Sequence, residues 1–196
     1  MFDDTYQTIA VPAEGIFKDK GSKFIAYIFP VISEAEIKEI IVKLKKEHHT
    51  ARHHCYAYRL MPDKSVFRSN DDGEPSGTAG KPILGQIQSN DLTDVLIVVV
   101  RYFGGTLLGV SGLIKAYKSA ALDAINNSEI IIKTINETIE ITCTYEQLNN
   151  VMRIVKQENL IILYQIPKGS QINIAIEVRK SIYEKVLGLL QLNGLN

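Results

Sequence analysis

Hydrophobic and polar residues alternate along the chain with two different periods, which predict where strands and helices lie. In the first part of the chain, strands are expected over residues 8–13, 22–31, 54–60, 66–70 and 94–103. The last of these contains an unbroken apolar run, which is typical of a strand buried on both faces. Ser33 and Glu36 form a capping-box sequence ahead of a helical apolar stripe, so a helix is expected to begin there. Further helices are expected over 82–89 and 111–125.

The last third of the chain has a simpler pattern. A strand near 139–145 is followed by a helix around 148–155, strands over 160–166 and 172–178, and a final helix around 182–189. This βαββα order is typical of a ferredoxin-like sheet that lacks its final strand. Eight of the 13 glycines fall between Gly73 and Gly112, and few follow Asn127. We therefore predict an α+β protein with two domains, 1–130 and 136–196.

Composition excludes several classes of protein. Lys and Arg number 22, and Asp and Glu also number 22, so any affinity for nucleic acid must come from a local basic patch. The longest apolar run, residues 95–100, is far shorter than the roughly 20 residues of a membrane helix. The polar residues after Met1 lead us to expect no signal peptide. Cys55 and Cys143 fit no zinc or CxxC spacing, so we expect a cytoplasmic protein with no metal and no cofactor.

A glycine-rich segment after the apolar strand is the first candidate for binding. It runs from Arg101 through Gly104 and Gly105 to a helix start near Ser111, with Lys115 one turn further along. Free N–H groups and the positive end of a helix favour an anion at such a place. The spacing matches neither the P-loop nor the dinucleotide fingerprint. A turn needed only for packing is the alternative.

A second candidate is the loop that precedes the helix at 82–89. It opens with Asp71, Asp72, Gly73 and Glu74 and closes with Lys81. Lys81 and backbone amides would bind an anion, whereas the carboxylates would bind a divalent cation. The loop lacks the spacing of an EF-hand, so we predict no metal site. A solvated loop whose acidic residues cap the following helix is the alternative.

Four histidines and a cysteine stand close together in His48–Cys55, which raises the question of zinc or a nucleophilic thiol. A helix is expected to end and a strand to begin within this segment, so the side chains would point in several directions. His54 and Cys55 would leave the strand on opposite faces. Two interpretations stay open: a partly buried His and Cys, or His53 or His54 joining Arg59 in a basic, aromatic surface.

Together these segments resemble the IMPACT family, and within it the bacterial YigZ-type members. The likeness rests on the motifs Gly21–Phe24, Ala51–Arg59, Asp71–Pro82 and Val100–Gly105 and spans about residues 15–125. The last third resembles the second domain of those bacterial proteins. One departure is Leu107, which takes the place of the lysine in the usual Gly-Gly-Thr-Lys-Leu-Gly. Its loss weakens a polyphosphate-binding role for this loop.

The resemblance implies a ribosomal-protein-like βαβ domain, similar to domain IV of elongation factor G, followed by a ferredoxin-like domain. It also implies a translation-associated protein and supplies no catalytic residue, so we expect binding more than catalysis. The expected partner is RNA or the ribosome, and the alternatives are a protein partner, as for eukaryotic members, or a small phosphorylated ligand. The residues expected to form the basic surface are His54, Arg59, Lys81, Arg101, Gly104, Gly105, Ser111 and Lys115.

Overall fold

The computed structural model describes residues 4–195, which form two compact units. The N-terminal unit spans residues 6–133, and the C-terminal unit comprises residues 134–195 together with residues 4–5. Each combines helices with an antiparallel sheet, so the protein belongs to the α+β class. Within the described residues, no helix is both long and apolar enough to cross a membrane.

The elements up to the end of the N-terminal unit are strands β1 (Thr5–Ile9), β2 (Ala13–Asp19) and β3 (Ser22–Pro30), helix α1 (Glu34–Glu47), strands β4 (His53–Leu60) and β5 (Val66–Asn70), helix α2 (Gly80–Ser89), strand β6 (Val95–Tyr102), helix α3 (Gly109–Asn126) and strand β7 (Ile130–Thr134). Strands β2 to β6 form one antiparallel sheet in the order β2-β3-β6-β4-β5.

Strand β6 lies in the middle of this sheet, which explains its unbroken apolar run. Residues 95–100 are completely buried, because both faces of the strand are covered. Val95, Ile97 and Val99 share a core with residues of α2 and α3. The alternating residues Leu96, Val98 and Val100 share a second core with Ile37 and Leu44 of α1. The sheet is thus a layer between helices, as its residue pattern predicts.

Strand β4 follows the alternation expected from its sequence. Cys55 and Ala57 pack in the core under α2 and α3, whereas Tyr58 and Leu60 pack under α1. Helix α1 begins after Ser33, whose Oγ accepts a hydrogen bond from the Glu36 N–H at 3.3 Å. This confirms the expected helix start.

Two strands differ from the expectation. The sequence predicts one strand over 8–13, but in the structure β1 ends at Ile9 and β2 begins at Ala13, so residues 10–12 connect two strands. The sequence predicts no strand between the domains 1–130 and 136–196, but β7 lies there and pairs with β1 in a two-stranded sheet. Three consecutive isoleucines at 130–132 explain this strand, because β-branched side chains fit a pleated surface.

The C-terminal unit consists of strand β8 (Asn136–Thr144), helix α4 (Tyr145–Gln157), strands β9 (Ile161–Lys168) and β10 (Gln171–Arg179), a 3-10 turn (Lys180–Ile182) and helix α5 (Tyr183–Leu192). Its antiparallel sheet has the order β8-β10-β9. Tyr145 was expected within the strand but begins α4, because Thr144 and Gln147 form a capping box there. Hydrogen bonds from Arg179 and Ser181 hold the pKa of the Asp4 carboxyl well below its usual value.

Candidate functional site

Several motifs of the N-terminal unit meet at one end of the five-stranded sheet. The register pairs Arg101 with His53 at the start of β4, and Tyr102 with Lys23 at the start of β3. The turn between β2 and β3 lies at this same end, because it immediately precedes Ser22. We call this region the basic end and define it by Lys18, Lys20, Lys23, Arg52 and Arg101.

Arg101 is the buried member of the basic end. Its Nη1 donates a hydrogen bond to Oε1 of Glu74 at 2.6 Å, and only 7% and 3% of the two side chains are exposed. The Tyr117 hydroxyl donates to the same carboxylate oxygen at 2.8 Å. The guanidinium carbon lies 5.5 Å from the ring centroids of both Phe24 and Phe103. Glu74 therefore neutralises Arg101 from inside the protein, and an external anion meets no free charge on this residue.

The Asp71 carboxylate occupies the N-terminus of α2. It accepts hydrogen bonds from the N–H groups of Gly77, Ala79 and Gly80 at 2.8–3.1 Å. Burial alone would raise the pKa of Asp71, but these three donors outweigh it and lower the pKa. The positive end of α2 is thus satisfied by the protein's own acid, and Lys81 remains exposed one residue into the helix.

Asp72 is also engaged within the protein. Its carboxylate accepts from the His54 N–H at 2.7 Å and from the Lys45 ammonium at 3.0 Å. Burial opposes ionisation of Asp72, but these two donors outweigh it and lower the pKa. Gly73 has a φ of 87°, which suits the turn that brings Glu74 inward. Across residues 4–195, no three His, Cys, Asp or Glu side chains are placed to share a metal ion.

His54 and Cys55 of β4 are buried, so they contribute no charge and no nucleophile at the surface. Burial lowers the pKa of His54, so its imidazole is neutral at pH 7. Burial also raises the pKa of the Cys55 thiol far above its usual value, and the thiol lies 3.3 Å from the Tyr117 hydroxyl. A thiol of this kind is unreactive, because the thiolate is the nucleophile.

Arg59 lies away from the basic end. Arg59 pairs with Val95 and lies six residues after His53 along β4. The two residues of β4 are therefore about 20 Å apart. Its Nε donates to the Leu92 carbonyl oxygen at 2.5 Å, and its Nη2 lies 3.4 Å from the Asp91 carboxylate. The structure therefore separates Arg59 from Arg101, and Arg59 forms part of an internal network.

The two glycines after β6 have different structural roles. A Cβ on Gly104 would lie 1.9 Å from the carbonyl carbon of Gly21, so only glycine lets this loop pack on the β2–β3 turn. The Gly104 N–H donates to Ser22 Oγ at 3.1 Å and is not free for an anion. Gly105 has a φ of 86° and open space around it. Ser111 and Lys115 are exposed on the first two turns of α3, and Leu107 is 83% exposed in the loop before it.

The solvent-accessible charges of the basic end come from residues that the sequence does not single out, of which Lys18, Lys20 and Arg52 are exposed and Lys23 is half-buried. Lys18 and Lys23 face each other across the β2–β3 hairpin, and Lys20 stands in its turn beside Asp19. Arg52 is exposed just before β4. None of these four cations has a carboxylate within 4 Å among residues 4–195. The run Lys-Asp-Lys-Gly-Ser-Lys at 18–23 was the available signal, since three lysines surround a turn glycine.

A hollow of about 220 Å³ opens beside this hairpin. It is lined by Thr50, Arg52, Arg101, Tyr102 and Phe103. Phe103 is 51% exposed, and its ring centroid lies 5.5 Å from the guanidinium carbon of Arg101. The basic end thus combines exposed cations, an exposed aromatic ring and a concave surface.

The chain is similar to several known proteins. A family model described as the Impact N-terminal domain matches residues 20–125. The IMPACT family member YvyE of Bacillus subtilis is 33% identical over 81% of this chain and 73% of its own length. An IMPACT family member of Haemophilus influenzae is 38% identical over 79% and 75%, and YigZ of Escherichia coli is 36% identical over 76% and 74%. A crystal structure of a hypothetical protein matches with a TM-score of 0.76 and 28% identity, covering all of this chain and 97% of the other.

Proposed function

Since this chain belongs to the IMPACT family, we propose that it is a translation-associated protein that binds RNA or the ribosome through the basic end. The observation that carries the proposal is the facing pair of Lys18 and Lys23, with Lys20 in the turn between them. Like charges directly opposite each other destabilise a hairpin. A polyanion bound at the basic end would offset this repulsion.

We also propose the finer fold assignment that the family resemblance implies. In this assignment, the N-terminal unit is similar to domain IV of elongation factor G, and the C-terminal unit is ferredoxin-like. The strand order β8-β10-β9 supports the second part, because a split βαβ arrangement places the later strand between the two that the helix connects.

Because the net charge of the chain is zero, the expected affinity for RNA depends on the cations of the basic end alone. Glu74 neutralises Arg101, so the effective cations are Lys18, Lys20, Lys23 and Arg52. Four phosphate contacts predict that the logarithm of the association constant falls with the logarithm of salt concentration at a slope of about −3. Binding of this kind is weak at physiological salt and strong at low salt.

The test is an anisotropy titration of a labelled structured RNA at low and at moderate salt. Replacing Lys18, Lys20 and Lys23 together by Gln is expected to raise the dissociation constant at least about tenfold at low salt and to flatten the salt dependence. The matched control replaces three exposed lysines elsewhere by Gln, namely Lys38, Lys156 and Lys168. This control changes the net charge equally and is expected to leave affinity nearly unchanged.

Two outcomes contradict the proposal. One is a wild-type protein that binds neither structured RNA nor ribosomes at low salt. The other is an equal loss of affinity in both triple variants, which would mean that overall charge and not the basic end governs binding. A stoichiometric protein partner that survives nuclease treatment would instead support the protein-binding alternative.

A further inference from the structure

The hollow of the basic end contains hydrogen-bond donors that the protein does not use internally. Arg101 lines the hollow, and its Nε–H is buried without an acceptor among the described residues. Buried donors of this kind are rare in folded proteins. Arg52 lines the same hollow, is exposed, and forms no ion pair within the described chain. Thr50 adds an exposed hydroxyl.

These donors have the chemistry to hold one phosphate group. Arginine presents its N–H groups in a planar fork that matches the oxygens of a phosphate. The net positive charge in the hollow comes from Arg52, because the Glu74 carboxylate balances Arg101. Lys23 pairs with Tyr102 in the sheet and so stands next to the hollow, where it adds to the positive potential.

Phe103 provides a surface for a flat ring beside that phosphate. Half of the side chain is exposed, and the Arg101 guanidinium already lies on the ring. An aromatic ring next to cations is how proteins commonly hold single-stranded nucleic acid, since every base has a face that stacks. A base within a duplex is already stacked on its neighbours and is not available to Phe103.

We propose that the hollow holds one phosphate of an unpaired RNA segment through Arg52, Arg101 and Thr50, while an adjoining base stacks on Phe103. This inference rests on the proposed function and narrows it, because it makes single-stranded or looped RNA the preferred partner of the basic end. In this proposal, Lys18 and Lys23 contact the RNA backbone on either side of this phosphate, and they do not distinguish one RNA sequence from another.

The test compares Phe103→Ala with Phe67→Ala in the full chain. Phe67 is a matched control, because it is 56% exposed on the edge strand β5 of the same sheet. The probe is a single-stranded RNA of about ten nucleotides that carries 2-aminopurine, whose fluorescence falls when it stacks. Phe103→Ala is expected to weaken binding about tenfold and to remove the fluorescence change, whereas Phe67→Ala leaves both intact. Phe103→Tyr is expected to restore both.

A second pair of variants tests the phosphate. Arg52→Ala is expected to weaken binding and reduce the salt slope by about one, whereas Arg68→Ala on β5 changes neither. For a duplex of the same sequence, Phe103→Ala is expected to have no effect. If Phe103→Ala matches Phe67→Ala while the triple lysine variant still loses affinity, this inference is wrong and the proposed function stands. If the wild-type protein binds no RNA, both are wrong.

Discussion

Lys20 adopts a backbone conformation that a lysine rarely takes. Its φ is 44° and that of Gly21 is 79°, so both central residues of the β2–β3 turn are left-handed. Hairpin turns of this geometry favour Asn-Gly, because asparagine tolerates a positive φ better than other side chains. A lysine at this position costs about 1 kcal/mol of stability. Its presence places a cation at the tip of the hairpin.

A Lys20→Asn substitution is therefore expected to change stability and RNA affinity in opposite directions. It should raise the free energy of unfolding by about 0.5–1 kcal/mol, measured by urea titration, and lower affinity for RNA. Lys20→Gln is the control, because it removes the same charge without easing the backbone. Equal stability of the two variants would show that the turn geometry does not oppose lysine.

At this same scale, the sequence indicates only some of the charged residues of the site, and it does not indicate which of them stay free of an internal partner. Arg101 and the acidic loop are recognisable from their motifs. The pairing of Glu74 with Arg101 depends on how the loop folds back, and no local pattern encodes it. Arg59 and His54 look equivalent to exposed residues in the sequence, yet both are buried in the folded protein. The hairpin lysines were overlooked because they stand outside the glycine-rich segments.

At the scale of elements, the loop before α2 is organised by one side chain. The helix has no side-chain cap at Ala79, and Asp71, which lies eight residues upstream, performs that role. Because the cap is distant in sequence, the helix start was expected at Pro82 but lies at Gly80. The amphipathic stripe of α1 and the unbroken apolar run of β6 made these two elements predictable, whereas the start of α2 depends on a tertiary contact with Asp71.

Asp71→Asn is expected to destabilise the N-terminal unit by about 1 kcal/mol at pH 7, since an amide offers one acceptor oxygen instead of two. The folded-state pKa of Asp71 is lowered, so its contribution is complete above the unfolded value of about 4 and is lost as pH falls below it. The wild-type protein should therefore lose more stability than the variant between about pH 5 and pH 3. Urea titrations at these pH values measure this, with the exposed Glu39→Gln as control.

An unchanged pH dependence in Asp71→Asn would contradict this assignment. It would mean that other carboxylates satisfy the start of α2 or that the loop is not held in this arrangement. Since Glu74 lies in the same loop, a more mobile loop would also move the Glu74 carboxylate away from Arg101, whose charge it neutralises.

At the scale of the whole molecule, the basic end lies within the N-terminal unit. Residues 6–133 contain both cores of the five-stranded sheet and have the size of an ordinary domain. We expect this fragment to fold cooperatively, as measured by urea titration, and to bind the same RNA as the full chain within about twofold. A full chain that binds more than about tenfold tighter would assign part of the interface to the C-terminal unit.

Each unit contains one cysteine, and both thiols are buried with a raised pKa, Cys55 beside Tyr117 and Cys143 in β8. A thiol in this condition reacts with a disulfide reagent only after its surroundings open. Replacing one cysteine at a time by alanine leaves a single reactive group in a known unit. The rate of its modification then measures how often that unit opens under native conditions, and adding RNA should slow the reaction of Cys55 alone.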